Sequence, residues 1–202
     1  LIERKLRTDL PFVFILDGGK GLKKAVGDVF GERFPIQRCL IHKQRNILEY
    51  LPQIHHREFR RRWTRIRRAE RYSDAKAEHA AMKKWLEAVN TDALNSFDEG
   101  GEEILTIAKI GVGHLLRTSL SNTNLIESTF SRVRAITNRV KNWAPQRRKS
   151  RQQDPDDQIK RWCAVALLAT EQSASHIKGY GEIPEFLIRL RENLLPSIMQ
   201  VA

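Results

Sequence analysis

Three features of the sequence predict an α/β fold dominated by helix. Phe12-Val13-Phe14-Ile15-Leu16 is a short apolar run, aromatic and β-branched in four of five places, the pattern of a buried strand. A second strand-like run, Pro35-Ile36-Gln37-Arg38-Cys39-Leu40, follows a helical stretch. From about residue 54 to 110 the apolar spacing is helical throughout. A βαβα opening followed by helices implies at least one parallel strand pair.

The first strand ends at Asp17 and a Gly18-Gly19 turn. Gly19 to Val26 opens a helix that places Leu22, Val26, Val29 and Phe30 on one face, and Gly31 stops it. After the second strand, His42 to Leu51 suits a second helix. Phe59, Trp63 and Ile66 then recur at helical spacing, which leaves the neighbouring arginines on the other sides. Ala75 to Val89 carries Met82, Leu86 and Val89 on one face, and Ile104 to Ile110 closes a further helix before Gly111-Val112-Gly113. Glu127 stands at a helix start within Ser121 to Ser128. A helix from Gln158 to about His176 and a last one from Pro184 to about Leu195 complete the chain, with Pro184 suited to a first turn. Five segments result: a partial core at 1–53, a helical insertion at 54–115, the Glu127 helix at 116–143, a basic linker at 144–157 expected to be unstructured when free, and C-terminal helices at 158–202.

Composition narrows the partners. At 202 residues the chain is one domain, or one core with an insertion. No apolar run approaches the ~20 residues that span a bilayer, so no membrane partner is expected. Cys39 and Cys163 form no disulfide framework, which points to a reducing compartment. The net charge of +12 and a pI near 10.1 call for a polyanion. The charge is clustered: Arg57, Arg60, Arg61, Arg62, Arg65, Arg67, Arg68 and Arg71 face only Glu58 and Glu70, and no acid interrupts the run from Arg132 to Arg151. Such clusters repel themselves unless phosphates neutralise them, with counterion release favouring the complex. Lys20, Lys43, Arg45, Arg57, Arg61, Arg65, Arg68, Arg134, Arg139 and Lys141 are the candidate DNA contacts, and Trp63 a candidate base-stacking residue beside its more ordinary role in a core.

Asp17 and Glu127 are the candidate acids. A carboxylate at a strand end and another near a helix start, inside a polycationic chain, suit metal-assisted chemistry on phosphates. Each also has a plainer reading: Asp17 in an Asp-Gly turn, Glu127 in a capping box with Asn124. Cys39-x-x-His42 is too small for a zinc site, which takes four ligands; Cys39 suits a buried strand, and His42 a phosphate or carboxylate contact. Phosphate-loop and dinucleotide fingerprints are absent.

Taken together, Asp17-Gly-Gly-Lys20-Gly-Leu-Lys, Gln37-Arg-Cys39-Leu-Ile-His42-Lys-Gln-Arg45-Asn46 and Thr123-Asn124-Leu-Ile-Glu127-Ser resemble a bacterial insertion-sequence transposase of the Mutator type, in the DDE superfamily. Arg161-Trp162 and Ile177-Lys178-Gly179-Tyr180 are similar to that family's C-terminal region. The resemblance implies an incomplete ribonuclease-H-like core with a helical insertion, and an acidic triad holding two Mg²⁺ (or Mn²⁺) ions. Asp17 matches the second acid and Glu127 the third, while Cys39 and His42 match the family's C-x-x-H motif. It further implies cleavage and strand transfer of double-stranded DNA at the element's ends and at its target, as a homo-oligomer on DNA, in the cytoplasm and nucleoid of a bacterium.

The first acid belongs upstream of Asp17, where only Asp9 stands, beside Leu10-Pro11. The chain, which begins at Leu1 inside a helical pattern, is therefore expected to be cut from a longer protein and inactive alone. An unpaired edge beside the Asp17 strand is expected to make it poorly soluble. The competing class is a DNA-binding remnant without metal chemistry. An RNA-binding structural protein lacks any RRM- or KH-type signature.

Overall fold

The computed structural model describes residues 10–31, 34–141 and 158–198. The predicted linker at 144–157 and Asp9 lie outside the described residues. The chain divides into two compact units, one formed by residues 1–123 with 177–202, the other by Asn124–His176. The strands and the helices of 54–115 thus share one unit.

In the first unit, β1 (Phe14–Leu16) and β2 (Ile36–Arg38) pair in parallel, Phe14 opposite Ile36 and Leu16 opposite Arg38. The ladder extends at both ends, through Phe14 N–H to the Pro35 carbonyl at 3.0 Å and Cys39 N–H to the Leu16 carbonyl at 2.7 Å. Between the strands runs α1 (Lys20–Phe30), ended at Gly31, whose φ of +71° lies where glycine is favoured. Phe12, Phe14, Phe30 and Phe34 gather at ring-centroid separations of 5.0–6.4 Å. The predicted α1 face is only partly used, because Val26 is buried while Leu22 and Val29 are about half exposed. A two-stranded sheet offers too little surface to cover the whole stripe.

α2 (Leu40–Tyr50) follows β2 directly and joins α3 (His56–Arg68), α4 (Tyr72–Val89) and α5 (Thr91–Gly100) in one apolar core. Ile47, Phe59, Trp63, Met82, Leu86 and Phe97 lie at its centre. On α3 the inward set is Phe59, Trp63 and Ile66, as their spacing predicts, so the arginines face outward. Trp63 is only 1% exposed and stacks on Phe59. Base stacking by Trp63 is therefore corrected to core packing, because no nucleotide reaches an enclosed ring. α5 is an element the apolar spacing did not reveal. Asn90 caps it by accepting the Ala93 N–H at 2.8 Å.

The predicted Ile104–Ile110 helix is instead a 3₁₀ segment, Gly101–Leu105, followed by the one-turn α6 (Thr106–Ile110). Gly101, at φ +47°, sets the break after α5. α7 (His114–Leu120) follows, and α10 (Ile183–Ile198) returns to lay Phe186, Leu190 and Leu194 against Ile107, Ile110 and Leu116. The second unit pairs α8 (Asn124–Thr137) with α9 (Gln158–Gln172), burying Ala166 and Thr170. Among the described residues no helix is long and apolar enough to cross a membrane.

Replacing Trp63 by alanine leaves a cavity between Phe59 and Phe97, at a cost of about 3–5 kcal/mol. Urea denaturation of Trp63→Ala is expected to show that loss as a lower midpoint.

Candidate functional site

Asp17 follows β1 immediately and is exposed. Its Oδ1 accepts the Gly19 N–H at 2.9 Å, closing a short turn of the kind the Asp-Gly pair suggests. Gly18 stands at φ +109°, and a Cβ there would collide with the guanidinium of Arg38, so both backbone and space require glycine. Among the described residues no side chain pairs with the other Asp17 oxygen. Lys20, in the first turn of α1, is exposed nearby in sequence.

Beneath this turn lies a cluster of charges. Arg38 and Lys43 are 2% exposed, and both pair with Glu99 on α5. Lys43 also donates to the Ser96 carbonyl at 2.7 Å, and Arg38 lies 3.7 Å from Glu103. Lys43, predicted to touch DNA, is thereby corrected to a structural cation, since its ammonium is enclosed and its donors are engaged. Burial pushes the Glu99 carboxyl up, but Lys43 and then Arg38 outweigh it, and it sits below the usual carboxylate range. Gln37, wholly buried, binds the same region by donating to the Arg38 and Ile104 carbonyls and accepting from the Ile107 N–H.

Cys39 and His42 do come together. His42 Nδ1 lies 3.2 Å from Cys39 Sγ, and Thr123 brings its N–H and Oγ1 to within 3.4 and 3.3 Å of the same sulfur. The Leu40 N–H donates to the Ser121 carbonyl at 2.9 Å, so main chain reinforces the link. Cys39 is fully buried. The motif thus ties the start of α2 to the residue preceding α8 and offers no accessible nucleophile.

In the second unit Glu127 is exposed in the first turn of α8. It borders an open concavity of about 560 Å³ with Asn124, Ser128, Phe130 and Arg134. α8 begins at Asn124, three residues ahead of Glu127. Arg134, Arg139 and Lys141 are exposed, as are Arg45, Arg57, Arg61, Arg65 and Arg68 in the first unit. Arg61 pairs with Glu58 at 2.8 Å, whereas Arg65 only approaches Glu78 at 3.9 Å.

Oxygen donors on Asp17 and Glu127 suit a hard divalent cation in kind. They fall short in number, because among the described residues no three His, Cys, Asp or Glu side chains are grouped to hold a metal. Sequence reasoning missed Arg38, Glu99 and Arg117. Arg38 carried a signal, a charge within a strand that otherwise reads as buried, but its partner lies 61 residues away.

Residues 8–151 match the sequence model of the family described as Transposase, Mutator family. The chain is 33% identical over 127 residues to the transposase for insertion sequence element IS6120 of Mycolicibacterium smegmatis, covering 63% of this chain and 38% of that protein. It is 30% identical over 142 residues to the transposase for insertion sequence element IST2 of Acidithiobacillus ferrooxidans, covering 70% of this chain and 47% of that protein. The matched stretches span less than half of either relative.

The Glu99 clamp makes a pH prediction. With its folded pKa below the unfolded value, the unfolded chain takes up the proton first as pH falls. The stabilisation is therefore complete above about pH 4.5 and is lost as pH drops through the folded value. Glu99→Gln is expected to remove this acid sensitivity and to cost about 1–2 kcal/mol at pH 7, the half-exposed carboxylate being screened. Thermal melting of both proteins from pH 3 to 7 checks both effects.

Proposed function

The chain belongs to the Mutator family of transposases, and on that premise we propose that it carries part of the machinery for metal-dependent DNA cleavage and strand transfer at insertion-sequence ends. The observation that carries the reading is the Asp17 turn: an exposed carboxylate at the C-terminal end of a parallel strand, with one oxygen fixed by Gly19 and the other open. A plain turn does not require the charged, buried foundation that Arg38 provides beneath Gly18. The βαβα order and the parallel pair are compatible with one edge of a ribonuclease-H-like sheet.

In this reading Asp17 and Glu127 supply two carboxylates to a site for Mg²⁺ or Mn²⁺. Such ions, when bound, supply Lewis acidity that favours ionisation of an attacking hydroxyl and stabilises the leaving oxygen. The protein's own contribution is positional. Gly19 fixes the rotamer of Asp17, and the buried Arg38 beneath Gly18 holds the turn. The exposed α3 arginines, with Arg134, Arg139 and Lys141, neutralise backbone phosphates and hold duplex DNA. Chemistry on two transposon ends favours a homo-oligomer assembled on DNA, and the working place is the bacterial nucleoid.

The exposed arginines of α3 support a second reading, duplex binding without metal chemistry. One experiment separates the two. In the transposase containing this segment, Asp17→Asn or Glu127→Gln is expected to reduce Mg²⁺-dependent strand cleavage on the order of 10⁴-fold or more. Duplex affinity, and its decline with salt, should stay within about threefold, because neither acid contacts phosphate directly. Full cleavage by either variant leaves the binding-only reading. Joint loss of binding and cleavage makes both residues structural and sinks the catalytic assignment.

A further inference from the structure

The first unit contains a pocket of about 270 Å³ where the end of α3 meets the start of α2 and the one face of α7. Arg67, Arg68 and Arg117 line it together with His114, and no acidic side chain does. Arg117 is 8% exposed, and its guanidinium donates to three main-chain carbonyls: Ala69, Glu70 at 3.0 Å and Val112 at 3.2 Å. Its Nε–H, also buried, has no hydrogen-bond partner among the described residues. Among the described residues no carboxylate forms an ion pair with Arg67, Arg68 or Arg117.

The guanidinium of Arg117 is held by main-chain carbonyls, the Glu70 carboxylate acts on it only through space, and two more arginines at the mouth raise the local potential further. The pocket is therefore an anion site by electrostatics, and the lining says which anion. Thr64, Thr118 and Asn122 each donate to a main-chain carbonyl, of Arg60, His114 and Thr118, and the guanidinium groups are the charged donors of the lining. Planar guanidinium forks match the oxygens of phosphate. No Phe, Tyr or Trp lines the pocket, so it has no platform for a stacked base.

We propose that this pocket seats one backbone phosphodiester of the bound DNA, with Arg67 and Arg68 gripping its oxygens and Arg117 supplying fixed positive charge from below. The assignment rests on the DNA-binding part of the function proposed above. It differs from general surface attraction in being local: α3 carries arginines along its length, and Arg67 and Arg68 of its last turn border this cavity. The phosphate anchors the DNA in register and carries no base specificity.

A charge-matched comparison tests this. Arg67→Gln/Arg68→Gln and Arg57→Gln/Arg61→Gln each remove two exposed arginines from α3, and only the first pair lines the pocket. Fluorescence anisotropy with a 30-base-pair duplex, repeated from 50 to 300 mM salt, gives the affinity and salt slope of each. The pocket pair is expected to bind about tenfold or more weaker than the control pair. Equal losses, with the unaltered chain still binding duplex, overturn the pocket while leaving DNA binding intact. Failure of the unaltered chain to bind duplex removes the DNA reading and the seat together. If the double variant does not fold by circular dichroism, Arg68→Gln against Arg61→Gln reads the same difference.

Discussion

The convergence of Arg38 and Lys43 on Glu99 is the interaction on which the first unit depends. Arg38 belongs to the sheet, Lys43 to α2 and Glu99 to α5, so one carboxylate joins the small sheet to the helical core. Two strands of three residues cannot bury enough surface to stand alone. Their rigidity comes instead from this clamp, from Gln37 and from the four phenylalanines. Removing Glu99 leaves Arg38 and Lys43 buried with unbalanced charge, so the expected cost exceeds that of a surface ion pair.

The same clamp reaches the candidate site. Arg38 lies where a side chain at position 18 would be, and the glycine placed there lets the chain turn so that Asp17 remains at the surface. Cations of different roles are thus segregated by burial: Arg38 and Lys43 are enclosed and pair with Glu99, while Arg57, Arg61, Arg65 and Arg68 of α3 are exposed. Trp63 serves the same division. Its burial with Phe59 and Ile66 orients α3 and fixes which side carries positive charge.

Much of this was legible in the sequence where the signal was local and periodic. The order strand, helix, strand, helix follows from two apolar runs and their turns, and the inward set of α3 from a spacing of four and three residues. Lys43 was not legible, because a lysine on an amphipathic helix looks solvent-facing until an acid 56 residues later is placed beside it. Arg117 hid for the same reason, its carbonyl partners at 69 and 70 coming from another element. The α5 helix was missed for a different cause. Its start is marked by the Asn90 cap, while the regular apolar stripe used to recognise the others is short. Asp17 and Glu127 are proposed from their local settings in the sequence, and they fall in separate units.

Cys39 has a practical consequence of its own. Its sulfur is sealed by Thr123 and His42 with no solvent exposure, whereas Cys163 is only half-buried. A thiol reagent therefore meets two unequal targets, one governed by access and one by how often the Thr123 contact lets go. The slower modification rate becomes a clock for opening at the junction that precedes α8, readable without attaching a probe.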